Sequence, residues 1–90
     1  MDYETILQLV KINLQISSSA LDPLLEGFIT TAEQAIENEG ITLKPLDDYD
    51  QMLVVQYASW LYDKRKENGP MPRSLRWQLN NRLLTEKAGE

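Results

Sequence analysis

The side chains that most often carry enzyme chemistry are missing from this chain. Its 90 residues include no histidine and no cysteine, which removes the commonest zinc ligands, thiol nucleophiles, disulfides and the one side chain that titrates near neutral pH. Paired carboxylates can still support hydrolysis, but a chain this short rarely encloses the cleft that such a reaction needs. We therefore expect a protein that is not an enzyme and binds no metal or cofactor.

Binding is the chemistry that remains, and the carboxy-terminal third has suitable residues for it. Basic side chains beside a tryptophan can contact phosphates and stack on bases. The overall charge of −5 opposes tight binding to DNA. The same residues can equally be solvated helix faces that contribute little. The residues in question are Lys64, Arg65, Lys66, Arg73, Arg76, Trp77 and Arg82.

Charge is divided unequally along the chain. Residues 1–60 carry a net charge of −8 and residues 61–90 a net charge of +3. Copies arranged head to tail would bring these opposite charges together, and such heterologous contacts close into rings or continue as filaments. A chain of this size also buries a limited core, so self-association is a natural way to add buried area.

Several aromatic and basic residues are candidates for a subunit or partner interface. Tyr57 and Trp60 are expected to pack in the core or between subunits. Trp77 lies off the line of leucines in its helix, and Met71 stands between two prolines; either can be a contact or a plug. The full candidate set is Tyr57, Trp60, Met71, Arg73, Arg76, Trp77 and Arg82.

Four amphipathic helices are predicted to position these residues, at about 3–15, 22–39, 48–67 and 72–85. Asp2 is a predicted N-cap for the first helix, and Asp22 before Pro23 is one for the second. Ser19 is an alternative start of the second helix, about one turn earlier, with Asp22 completing a capping box. Gly40 is expected to end the second helix in a Schellman motif, with Ile36 and Ile41 in contact.

The third helix is predicted to be apolar nearly all round, which suits either a central position or a face toward a neighbouring subunit. Asp47 and Asp48 are candidate N-caps for it, with Gln51 in capping-box position after Asp48. The fourth helix places Leu75, Leu79 and Leu83 at four-residue spacing. Residues 86–90 lack an apolar anchor and are expected to fray. We expect a single all-α domain over residues 1–90.

The amino terminus and the apolar segments predict a soluble protein made in a cytoplasm. The segment from Met1 to Glu4 contains two acidic residues and no basic one, whereas a secretory signal begins with basic residues. The longest uncharged apolar stretch, residues 51–62, has twelve residues, whereas a membrane span needs about 20. We therefore expect no contact with a membrane.

Capping and packing residues recur in a recognisable order along nearly the whole chain. They are Leu14, Gln15, Ile16, Asp22, Pro23, Leu24, Leu25, Phe28, Ile29, Ala32, Ile36, Gly40, Ile41, Gln56, Tyr57, Ala58, Trp60, Tyr62, Arg65, Gly69, Pro72, Leu75 and Leu79. In this order the chain resembles the small phage head-to-tail connector proteins, which are also catalogued as DNA-packaging proteins.

The resemblance implies an all-α subunit of a homo-oligomeric ring of about a dozen copies. Such a ring would contact the portal protein on one side and a head-closure or tail-completion protein on the other, around a channel for double-stranded DNA. The protein would belong to the virion, at its head–tail interface, and be assembled in the bacterial cytoplasm. On this interpretation Asp47, Asp48 and Asp50 are candidates to face the channel, because like charge lets DNA slide; otherwise they are N-cap carboxylates.

The alternative is a small helical regulatory or adaptor protein. It would bind DNA or another protein through the basic end of the third helix and the fourth helix. Its complex with nucleic acid would weaken as salt increases. Replacement of Arg73, Arg76 and Arg82 by alanine would then reduce that affinity.

Overall fold

Four helices make up most of residues 2–89, which are the residues described by this computed structural model. They are α1 (Tyr3–Leu14), α2 (Asp22–Asn38), α3 (Asp48–Lys64) and α4 (Arg73–Ala88). No strand is present in this range, so the predicted all-α bundle is confirmed. The single-domain prediction also covered Met1 and Glu90, which lie outside the described residues.

Aspartates begin α1 and α3. The Asp2 carboxylate accepts a hydrogen bond from the Thr5 backbone N–H at 3.2 Å, as predicted. Asp47 is the N-cap of α3, accepting from the Asp50 backbone N–H at 3.1 Å. The alternative cap at Asp48, with its capping box, is therefore not used. Each carboxylate stabilises the positive end of its helix dipole.

Helix α2 begins differently from the prediction. Its N-cap is Leu21, with no capping hydrogen bond from a side chain, and Asp22 is the first helical residue. The Asp22 carboxylate instead pairs with the Lys11 ammonium of α1 at 2.9 Å. The prediction of Asp22 as a cap is corrected because a tertiary ion pair takes its carboxylate, although an acidic residue in the first turn still favours the dipole.

The end of α2 confirms the predicted role of glycine. Gly40 has a φ of 105°, which side-chain-bearing residues rarely adopt. Its N–H donates to the Glu37 carbonyl at 3.0 Å, which is the 5→2 bond of a Schellman motif, but the 6→1 bond from the Ile41 N–H to the Ile36 carbonyl is not formed, so the predicted motif is present only in part. Ile36 and Ile41 on either side are both buried. The glycine therefore turns the chain while the two isoleucines stay in the core.

Helix α3 is the central element. Helices α1, α2 and α4 all pack against it, and Leu53, Val54, Val55 and Ala58 are almost completely buried. Its nearly continuous apolar surface is thus covered mainly by its own chain. The helix ends at Lys64, three residues before the predicted end, and the chain continues in turns toward Gly69.

Helices α1, α2 and α3 enclose most of the core. Helix α4 adds Leu75 and Leu79, which are buried. The other fully buried apolar side chains come mainly from the first three helices, and the largest are Ile6, Val10, Leu25, Ile29, Ile36, Ile41, Leu53, Val54 and Val55. Helix α4 therefore lies on the outside of a three-helix core.

The carboxy-terminal segment is more ordered than predicted. Helix α4 continues to Ala88, three residues beyond the expected end near Thr85. The Glu86 carboxylate accepts hydrogen bonds from the Thr42 backbone N–H at 2.8 Å and from Arg82 at 3.3 Å. These bonds anchor the last turn, so the prediction of a frayed tail is wrong for residues 86–88. Glu90 lies outside the described residues.

Candidate functional site

A buried ion pair joins α4 to α3. The Arg82 Nε donates to Asp50 Oδ1 at 2.7 Å, and Nη2 donates to Oδ2 at 3.3 Å. Asp50 is 1% exposed and Arg82 8% exposed. The hydrogen bond to Asp50 raises the pKa of Arg82 further above its ordinary range, so the guanidinium stays charged. Such bidentate pairing is the strongest geometry available to an arginine and a carboxylate.

Backbone groups of the α2–α3 connector complete this cluster. The Thr42 carbonyl accepts from Arg82 Nη2 at 2.7 Å, and the Lys44 backbone N–H donates to Asp50 Oδ2 at 2.8 Å. Glu86 binds Thr42 and Arg82 at the same time. Every charged group in the cluster thus has partners, as buried charges require.

The burial of this pair corrects two sequence predictions. A carboxylate with 1% exposure cannot face a DNA channel, so Asp50 is not a channel-facing residue. Arg82 is committed to Asp50 and is not available to a neighbouring subunit or to a phosphate. Both residues instead hold α4 in position. Asp47 and Asp48 are exposed, Asp47 as the cap of α3, and they remain candidates.

Above the ion pair lies an open groove of about 590 Å³ between α4, the start of α3 and the α2–α3 connector. We call it the outer groove. Asp50 and Arg82 form part of its wall. The Tyr49 hydroxyl donates to the Gln78 carbonyl at 3.1 Å and so ties the two helices together at one side. Further lining comes from Lys44, Asp47, Tyr49, Trp77, Asn81, Leu84 and Thr85.

The outer groove is bordered by large apolar side chains in contact with solvent. Trp77 and Leu84 are each 65% exposed, and Tyr49 is 44% exposed. Leu46, in the connector before α3 and outside the lining of the groove, is 92% exposed. Helix α4 thus has apolar residues on two sides, with Leu75 and Leu79 inward and Trp77 and Leu84 outward. Grouped exposed apolar residues of this kind mark interaction surfaces.

Two aromatic residues that were predicted to lie at an interface pack mainly against other residues of their own chain. Tyr57 and Trp60 are half-buried and stack edge to face, with ring centroids 5.5 Å apart. Burial raises the pKa of Tyr57, and the Lys64 ammonium lies 5.0 Å from the Trp60 ring centroid. Met71 is half-buried and packs against the core. These residues brace α3 and the α3–α4 connector, although each keeps some exposed surface.

The basic patch of the carboxy-terminal third is divided by the fold. Arg76 forms a bidentate pair with Glu39 at 2.8 and 3.2 Å, and Arg82 is buried. The Arg65 guanidinium lies 4.1 Å from the Tyr62 ring centroid. Arg73 is exposed at the start of α4. Of the arginines on α4, Arg73 thus differs from the other two in having no ion pair among the described residues.

A second groove, of about 410 Å³, runs between α1 and α2. Leu7 and Ile29 contribute to its lining, together with Tyr3, Glu4 and Glu26. The carboxylates of Glu33 and, more weakly, Glu37 raise the pKa of the Tyr3 hydroxyl. We call this surface the acidic face and define it as Tyr3, Glu4, Glu26, Glu33 and Glu37.

Sequence reasoning missed three exposed apolar residues: Tyr49 and Leu84, which line the outer groove, and Leu46, which lies in the α2–α3 connector outside its lining. A usable signal was present for two of them. Leu84 follows Trp77 by seven residues, or about two helical turns, so the two had to share a side of α4. Leu46 is a lone large apolar residue between a proline and two aspartates. Tyr49 carried no comparable signal.

No family model, curated protein or solved structure matches this chain. Among residues 2–89, no group of three or more carboxylates is arranged to hold a metal ion. No helix in the described part of the chain is both long and apolar enough to span a membrane.

Proposed function

We propose that this protein is a structural virion component, the subunit of a head-to-tail connector of a bacteriophage. Its copies form a closed ring between the portal and the head-closure or tail-completion protein, and double-stranded DNA passes through the ring. The proposal combines the resemblance of the chain to that family with the all-α fold. Its role is mechanical, since it positions neighbours and carries out no reaction.

The observation that carries the proposal is the two-sided apolar character of α4. A helix on the outside of a monomeric bundle normally presents a polar surface to water. Here Trp77 and Leu84 are mostly exposed, beside a groove of about 590 Å³. This arrangement favours a chain whose burial is completed by neighbouring subunits or partners.

Electrostatics also favour a connector over a protein that grips DNA. Binding by the basic third requires several free arginines and lysines along one surface. Arg76 and Arg82 are already paired with carboxylates of the same chain. The remaining exposed carboxylates, Asp47 and Asp48 included, give a surface along which DNA can pass without being held.

The test is the solution mass by light scattering over a concentration series, at low and moderate salt, first alone and then with the purified portal protein of the same phage. A closed oligomer, or a ring that forms on the portal, is the expected result. A gel-shift titration with duplex DNA is expected to show no specific complex. A monomer that ignores both salt and portal would overturn the proposal, and salt-dependent DNA binding would favour the adaptor alternative.

A further inference from the structure

We propose that the subunit contact of the ring joins the outward side of α4 in one copy to the acidic face of the next. The inference rests on the proposed function, because it assumes that the protein forms a homo-oligomer. It goes further by assigning the two surfaces that meet. The occupant of the acidic face is thus a second copy of this chain.

The outward side of α4 has an apolar middle and basic ends. Trp77 and Leu84 are seven residues apart, so they lie on one side of the helix. Arg73 comes four residues before the tryptophan and Lys87 three residues after the leucine, which are spacings that place neighbours on the same side. All four residues are exposed. We call this set the outward side of α4.

The acidic face is complementary to that set. Glu26, Glu33 and Glu37 fall on one side of α2, because spacings of seven and eleven residues are about two and three helical turns. The groove beside Glu26 has further acidic lining from Glu4 and apolar lining from Leu7 and Ile29. Lys11, the nearby cation, is taken by Asp22. Acidic walls over an apolar base match a helix with basic ends and an apolar middle.

The dimensions of the two surfaces also agree. Helix α4 has 16 residues and α2 has 17, so both are about 25 Å long. A stable interface buries about 800 Å² on each partner, roughly a seventh of the 5746 Å² accessible surface of this chain. Two helices of equal length that pack side by side can supply an area of that order.

The proposed contact differs in symmetry from a two-fold pairing of α4 with α4 of another copy. An antiparallel α4 pair that set Trp77 against Leu84 would also bring Arg73 close to Lys87 of the other copy, and like charges oppose such contact. The outward side of α4 and the acidic face share no residue. One copy can therefore use both at once, and a heterologous contact of this kind generates a ring or a filament.

The experiment reverses charge on each surface and then on both. Arg73→Glu with Lys87→Glu makes α4 acidic, and Glu26→Lys with Glu37→Lys makes the acidic face basic; all four positions are exposed. Each double variant is expected to need at least about tenfold more protein for assembly, equivalent to about 1.4 kcal/mol. The quadruple variant, in which both signs are exchanged, is expected to regain assembly.

The matched control is Arg65→Glu with Lys66→Glu, which changes net charge by the same amount on the exposed α3–α4 connector and should leave assembly unchanged. Circular dichroism checks that each variant is folded, and all masses are measured with and without portal protein. If the wild type assembles and the double variants assemble equally well, or the quadruple variant is not rescued, the inference is overturned while the proposed function stands. A wild type that never assembles overturns both.

Discussion

Helix α4 is held to the rest of the chain by two arginine–carboxylate pairs whose surroundings differ. Near its carboxy-terminal end, Arg82 and Asp50 are buried and share partners with Thr42 and Glu86. Near its amino-terminal end, Arg76 and Glu39 form a bidentate pair in which the arginine side chain is 44% exposed. Each pair joins an arginine to a carboxylate through two hydrogen bonds. The two pairs differ in how far they are buried from solvent.

This difference teaches that depth decides what an ion pair does for the fold. Water and salt screen an exposed pair, which contributes about 0–1 kcal/mol. A buried pair adds little over an apolar replacement, but removal of one partner leaves a charge without water or counter-ion and costs about 3–5 kcal/mol. The buried pair therefore specifies where α4 docks, whereas the exposed pair only assists.

The largest expected effect comes from removing one arginine from each pair. Arg82→Ala should lower the free energy of unfolding by about 3–5 kcal/mol, because the buried Asp50 carboxylate loses its guanidinium. Arg76→Ala, the matched control on the same helix, should cost at most about 1 kcal/mol. Urea unfolding followed by circular dichroism measures both.

If Arg82→Ala does not fold, a second variant still allows the buried pair to be compared with the exposed pair. Asp50→Leu combined with Arg82→Met removes both charges and should recover much of the lost stability, since apolar replacement of a whole buried pair is often neutral or better. Equal losses for the Arg82 and Arg76 single variants would contradict the distinction that burial makes between the two pairs.

An intermediate effect is expected at Gly40, where the end of α2 meets α4. Gly40→Ala should lower stability by about 1–2 kcal/mol, because a side chain is strained at positive φ. The added Cβ would also lie 3.3 Å from Leu83 Cδ1. Gly27→Ala is the matched control: it lies within α2 with open space around it, and should raise stability by about 0.5–1 kcal/mol. Thermal melts of the two variants should therefore shift in opposite directions, and a shared direction would exclude the strain argument.

The smallest expected effect is the pH dependence of Glu86. Hydrogen bonding from Thr42, with a further contribution from Arg82, holds the pKa of Glu86 below its ordinary value of 4.5. The unfolded chain then binds more protons than the folded chain just below that pH, so the contribution of Glu86 is complete above about pH 4.5 and is lost as pH falls through the folded pKa.

Glu86→Gln measures that contribution, because glutamine can still accept the Thr42 hydrogen bond but carries no charge. The difference in unfolding free energy between wild type and Glu86→Gln should be largest near neutral pH and should shrink below about pH 4.5. Urea titrations at several pH values give this difference. A gap that stays constant from pH 3 to 7 would show that the charge of Glu86 plays no part in anchoring α4.

The helices could be predicted from the sequence because their signals are local. Asp2 and Asp47 act as caps where their spacing to the following apolar residues indicates, and Gly40 ends α2 as its flanking isoleucines predict. The missed boundaries depend on contacts across the chain. Glu86 extends α4 by binding Thr42, 44 residues earlier, and no local pattern encodes that bond.

The candidate site was less accessible to sequence reasoning for the same reason. Asp50 and Arg82 are 32 residues apart in the sequence, so no local pattern pairs them. Charged residues are usually exposed, and residue type alone therefore does not predict that this pair is buried. Asp47 and Asp48 resemble Asp50 in type and neighbourhood, yet only Asp50 faces inward from the first turn of α3. Trp77 was a sound candidate because it lies off the leucine line of its helix.

By itself the sequence determined the helical class, the caps of α1 and α3, the glycine turn and the division of charge along the chain. These depend on residues within about one or two helical turns of each other, where backbone geometry dictates the neighbours. Tertiary structure alone decided which charges became buried and which apolar residues stayed in water. Those outcomes depend on how α4 lies against α3, because burial and electrostatic strength belong to positions in the folded molecule and not to residue types.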